Sequence, residues 1–155
     1  MKKKLAAIFA GISLLIFFPE KLSASISRAN IIGKWDCKES DYYDWGTIVT
    51  RSESDIREGG IGYASGTISF LFTDAPPRNY KIMAIANWSL SGNSWTYQYK
   101  KFQAMQTGPN HDQNSIDYNQ QVELGTIYSA EVLKLNKKEA VFLTDSGTVS
   151  FCSKL

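Results

Sequence analysis

Histidine occurs once in the 155-residue sequence, at position 111, and cysteine only twice, at positions 37 and 152. A lone histidine excludes a histidine-rich zinc site and a Ser-His-Asp triad, since each needs partners that the chain does not supply. Long apolar runs are also missing. The most apolar stretch, Leu5 to Phe18, holds 14 residues, short of the roughly 20 that a membrane-spanning helix requires. No long segment of period 3.6 suggests a helical domain, and no internal repeat or second domain boundary is visible.

The short apolar stretch has a different meaning. Lys2, Lys3 and Lys4 precede it, Pro19 and Glu20 end it, and Leu22-Ser23-Ala24 offers the small residues that signal peptidase needs. Residues 1–24 read as a secretory signal peptide of bacterial type, with residues 25–155 as the mature domain. A lipid anchor would need a cysteine just after the apolar run, and the first is Cys37. The expectation is a periplasmic or secreted protein with no stable membrane anchor after cleavage. Ser153-Lys154-Leu155 matches a peroxisomal address, but a chain with a secretory leader does not reach that receptor.

Removing residues 1–24 takes four Lys and one Glu from totals of 17 basic and 15 acidic residues, leaving 13 and 14 and a net charge of −1. A near-neutral domain argues against nucleic acid as a partner. About 130 residues suffice for one domain with its own core. The two cysteines lie near its ends, and in an oxidising compartment a Cys37–Cys152 disulfide is expected. Closing a loop of about 115 residues would remove roughly 4 to 5 kcal/mol of denatured-state entropy.

The mature segment reads as short strands between Gly, Asn, Asp and Pro turns. Strands are expected over 31–38, 45–53, 66–73, 80–90, 95–102, 140–144 and 148–152. Between them lie an acidic aromatic loop (Glu39 to Asp44), a flexible glycine-rich link (Gly59 to Gly62) and a long polar loop over 106–120. Residues 122–135 are mixed and admit a short helix. Ser91-Gly92-Asn93-Ser94 is a hairpin turn, rich in residues that tolerate positive φ. Across that hairpin, Tyr80, Ile82, Ala84, Ala86, Trp88 and Leu90 share one face. Trp95, Tyr97 and Tyr99 share the facing one.

Chemical motifs are few. Asp112, Asn114 and Asp117 resemble the start of a calcium loop, but Ile116 occupies a position that needs oxygen and no glycine follows. Gly60-Ile61-Gly62-Tyr63-Ala64-Ser65-Gly66 nearly spells a dinucleotide fingerprint, with its last glycine one place late and no helix after it. Asn87-Trp88-Ser89 is a glycosylation acceptor inside an expected strand. No pair of carboxylates stands out for glycoside hydrolysis. No enzymatic activity, cofactor or metal is expected.

Ile31-Ile32-Gly33-Lys34-Trp35 resembles the Gly-x-Trp opening of lipocalins and other calycin barrels. The strand pattern through Asn87-Trp88-Ser89-Leu90-Ser91-Gly92-Asn93 is similar to that of bacterial lipocalin-like proteins. The resemblance implies an all-β, antiparallel up-and-down barrel, with Trp35 closing one end and a ligand cavity opening at the other. The sequence departs from the family in three ways. No arginine follows Arg78, so the late Arg that covers the first-strand Trp is missing; Thr144-Asp145 matches a second motif only in part; and the domain is short. The disulfide also poses a facing problem, because Cys37 alternates with Trp35 on the inner face whereas Cys152 alternates opposite Phe151. A bulge, or an outward Phe151, would resolve it.

The leading expectation is a non-enzymatic barrel that binds a small apolar or amphipathic ligand through Trp35, Phe70, Phe72, Trp88, Trp95, Tyr97 and Tyr99. The alternative is a protein-interaction module of the cell envelope, such as an inhibitor or immunity protein. It would use the loop Asp41 to Trp45 and residues 106–120, with a filled barrel interior.

Overall fold

The computed structural model describes residues 26–108 and 118–155. The expected signal peptide, His111 and the calcium-like Asp112, Asn114, Ile116 and Asp117 lie outside the described residues. After a one-turn helix α1 (Arg28–Ile31), eight strands follow: β1 (Gly33–Tyr43), β2 (Gly46–Ile56), β3 (Ile61–Phe72), β4 (Arg78–Ser91), β5 (Ser94–Thr107), β6 (Ile127–Leu135), β7 (Glu139–Thr144) and β8 (Val149–Lys154). Each pairs antiparallel with the next, and β8 pairs with β1 to close the barrel. This is the antiparallel up-and-down barrel that the Gly33-Lys34-Trp35 resemblance implies, and closure gives each of the eight strands a neighbour on both sides over at least part of its length.

Several boundaries differ from those expected. Ile31, expected to open the first strand, instead ends α1, and β1 runs from Gly33 to Tyr43 through the segment expected to be an acidic loop. The reason is partnership on both sides: Glu39 pairs with Thr50 of β2 and Ser150 of β8, so the ladder carries the chain past the polar residues. The strand expected from Gly66 begins earlier, because β3 takes in Ile61 and Gly62 of the glycine-rich link and all of 63–65. Gly66 allows β2 to approach so closely that a Cβ there would lie 2.0 Å from the Arg51 carbonyl oxygen. The mixed segment 122–135 contains β6 and no α-helix. The β4–β5 hairpin turns at Gly92-Asn93 as expected, with Gly92 at φ +60°.

The facing problem is solved by Phe151, which is 60% exposed and turned outward. Cys37 and Cys152 are direct cross-strand partners, and their disulfide fastens the first strand to the last. The connections β2–β3, β4–β5 and β6–β7 lie at one end of the barrel, which we call the floor. The other connections lie at the mouth.

The floor is sealed. Ile31, Trp88, Trp95, Ala130 and Val132 form a buried cluster against which Ile26 and Ile32 also pack. Beside it Trp35, 2% exposed, packs with Ala140 and Cys152. The Trp35 indole Nε1 donates to the Ile31 carbonyl at 2.7 Å. Lys154 takes the place of the missing late arginine: its Nζ lies 5.0 Å from the Trp35 ring centroid and donates to the carbonyls of Asn30 (3.2 Å) and Ile32 (2.6 Å). The tripeptide that resembles a peroxisomal address is thus part of the closing strand and its end, with the Leu155 amide donating to Lys34.

Candidate functional site

Above the floor the barrel encloses a cavity of about 240 Å³, partly open to solvent. Its walls differ in chemistry. β1, β2 and β8 contribute Glu39, Thr50, Ser52, Ser54 and Ser150, whereas β3 and β4 contribute Ala64, Ile82, Ala84 and Ala86. The alanines are what make room there, as their small side chains leave volume that larger residues would fill. β5 supplies an aromatic wall of Tyr97, Tyr99 and Phe102.

Phe102 reaches the cavity through a bulge. Ala86 pairs with Tyr99 and Ile85 with Lys101, which leaves Lys100 as an extra residue on β5 and resets the alternation. The signal in the sequence is the doublet Lys100-Lys101 between Tyr99 and Phe102, which breaks a period of two. Tyr128 of β6 backs the wall, stacked on Tyr97 at 5.4 Å and edge-on to Tyr99 at 5.6 Å.

Glu39 is the other residue that strand boundaries concealed. The period of two from Trp35 through Cys37 continues to Glu39 and Asp41, so both carboxylates lie on the inner face of β1. Thr50 and Ser150, its two cross-strand neighbours, donate hydroxyl hydrogen bonds to Glu39. Desolvation nevertheless raises its pKa above the ordinary carboxylate value, and the nearby Asp41 charge adds to the shift. Burial likewise pushes the Tyr97 phenol up to about 12, and the Tyr99 phenol further, with the Glu39 charge contributing to both. These phenols are neutral donors at physiological pH.

The mouth carries a second aromatic group. Trp45, Phe70 and Phe72 pack with one another, and Phe70 meets Tyr80 edge-on at 5.7 Å. Tyr118, in the 3₁₀ turn Tyr118–Gln121, lies against Phe70, Tyr80 and Phe102. Its position follows from Asn119, whose side-chain amide pairs with the backbone of Ala104 as a neighbouring strand would (2.7 and 3.1 Å). β6 pairs with β5 only from Ser94 to Gln98, so the upper half of β5 has backbone groups available for this side chain.

The seven residues expected to bind ligand are therefore distributed over three levels. Trp35, Trp88 and Trp95 form the cavity floor, Tyr97 and Tyr99 its wall, and Phe70 and Phe72 the mouth, beyond the residues that line the cavity. Trp88 and Trp95 stack at 4.9 Å, the Arg28 guanidinium covers Trp88 at 4.4 Å, and the buried Trp88 Nε1 has no hydrogen-bond partner among the described residues. The loop aromatics of the interaction reading are exposed, with Tyr42 at 81%, Tyr43 at 49% and Trp45 at 43%. No helix among the described residues is long and apolar enough to cross a membrane.

Neither a protein-family model nor a curated protein matches this chain. Among solved structures it is similar to a lipocalin-like protein from Bacteroides uniformis, with 17% sequence identity, a TM-score of 0.47, and coverage of 81% of this chain and 99% of that one.

Proposed function

We propose that this protein is an exported, non-enzymatic barrel that binds one small amphipathic molecule inside its cavity. The observation that carries this reading is the unfilled interior between a polar wall on β1, β2 and β8 and an aromatic wall on β5. Binding pockets combine apolar surface with a few convergent polar groups in this way. The volume, about 240 Å³, lies just under the roughly 300–1,000 Å³ of drug-sized ligand pockets, which favours a compact ligand. The Cys37–Cys152 disulfide suits maturation in the periplasm or outside the cell.

Native mass spectrometry of the protein recovered from a bacterial periplasm tests this directly. The expected result is an adduct that disappears on denaturation, in a chain that has lost residues 1–24. A clean native mass, with no uptake of small organic probes, would overturn the binding reading.

The exposure of Tyr42, Tyr43 and Trp45 favours a second reading, a protein partner docked at the mouth. Tyr43→Ala separates the two, because it should weaken capture of a protein and leave small-molecule uptake intact.

A further inference from the structure

Glu39 is the one charged group of the cavity lining that the strand pleat turns inward. Lys38, the other charged residue there, shares the outward pleat with its exposed partner Phe151. Neither ion pair among the described residues involves Glu39. Thr50 and Ser150 donate one hydrogen bond each, whereas a carboxylate offers about four acceptor sites, so part of its capacity is uncommitted. Tyr97, Tyr99 and Phe102 line the same cavity as Glu39, and the Glu39 charge contributes to the raised pKa of both phenols.

A second observation is independent of Glu39. Among the described residues, the connections at the mouth contain Asp44, Asp74, Glu123 and Asp145 and neither lysine nor arginine. Those at the floor hold Arg57, Glu58, Lys137 and Lys138. Arg78, the first residue of β4, is the cation at the rim and lies over the Phe72 ring. The barrel is thus polarised, negative at the open end, which draws cations toward the cavity.

We infer that the ligand carries a cationic amine or quaternary ammonium group, held between the Glu39 carboxylate and the faces of Tyr97, Tyr99 and Phe102. This identification rests on the ligand-binding reading above. The chemistry is that of an aromatic cage closed by a carboxylate: ring faces attract a desolvated cation, and the carboxylate neutralises it. A cationic ligand would also relieve the cost of an unpaired carboxylate inside the barrel.

Phenethylamine, 2-phenylethanol and phenylacetate share one ring and nearly one size but differ in charge, and calorimetric titration of the full chain at pH 8 ranks them. Tetramethylammonium, titrated in parallel, serves as a compact cation in case the ring is too large. The expected result is amine binding at least about tenfold tighter than alcohol, with the acid weakest. Glu39→Gln should bring the amine down to about the alcohol's affinity, a loss larger than any change in the alcohol's own binding. Tyr99→Leu, which keeps Glu39 and removes one ring face, should weaken both cations more than the alcohol. Equal binding of amine and alcohol by the unaltered protein, with tetramethylammonium unbound, overturns the cation assignment and leaves the cavity reading standing. Failure of all four probes overturns both.

Discussion

The floor and the mouth of this barrel are both aromatic, yet they are built to opposite ends. At the floor, Trp35, Trp88 and Trp95 are buried, covered by the segment 26–32 and capped by Lys154 and Arg28. At the mouth, Trp45, Phe70, Phe72 and Tyr118 cluster with no such plug among the described residues, the Glu39 and Asp41 carboxylates act on Tyr118 from β1, and the upper half of β5 pairs with the Asn119 side chain rather than a strand. Ring content does not distinguish a sealed core from the rim of an open cavity. The covering segment does, together with the sign of the charges set against the rings.

If the floor is the stability-determining half, its fastenings should dominate unfolding. Replacing both Cys37 and Cys152 by Ser removes a link across 115 residues of sequence and should cost about 2–5 kcal/mol, read as a lower urea midpoint. A loss below about 1 kcal/mol would show that the barrel closes equally well without it. Next in size is Lys154→Met, which keeps the apolar stem but removes the charge over Trp35 and the donors to Asn30 and Ile32. The expected loss is about 1–3 kcal/mol in the same assay, with ligand uptake unchanged. An equal loss of uptake would join floor and cavity into one unit.

The smallest effect concerns the cavity. The Glu39 pKa is raised in the folded protein, chiefly by desolvation, so across the window between its unfolded value and the raised one the folded state holds more protons than the unfolded state. Its contribution to stability therefore falls as pH rises through that window. Glu39→Gln should be more thermostable than the unaltered protein at neutral pH, with the two melting temperatures converging in acid. A variant less stable at neutral pH would mean that Glu39 is a structural anchor and not an unneutralised cavity group.

The face of β4 that carries Tyr80, Ile82, Ala84 and Trp88 is readable from the sequence, since a period of two puts these residues together and Lys81, Asn87 and Ser89 mark the other face as the outer one. The turn at Gly92-Asn93 was readable for a similarly local reason. Phe102 was not placed, because one extra residue at Lys100 reverses the parity of all that follows it on β5. Glu39 reads as loop in the sequence because acidic and polar residues disfavour strands in isolation. Its strand exists because β2 and β8 supply ladder partners on both sides.

Local spacing alone determined the all-β class, the two-residue hairpin turn, the inward face of β4 and the presence of two cysteines able to bridge the ends. Those follow from the period-two pleat, turn chemistry and composition, which act over a few residues. Tertiary structure alone decided that Lys154 would cap Trp35, that Tyr118 would lie against the mouth aromatics, and that Glu39 would face Tyr97 and Tyr99. Each depends on closure of β8 against β1 or on a side chain substituting for a strand, and such long-range pairing leaves no periodic trace in the sequence of either partner.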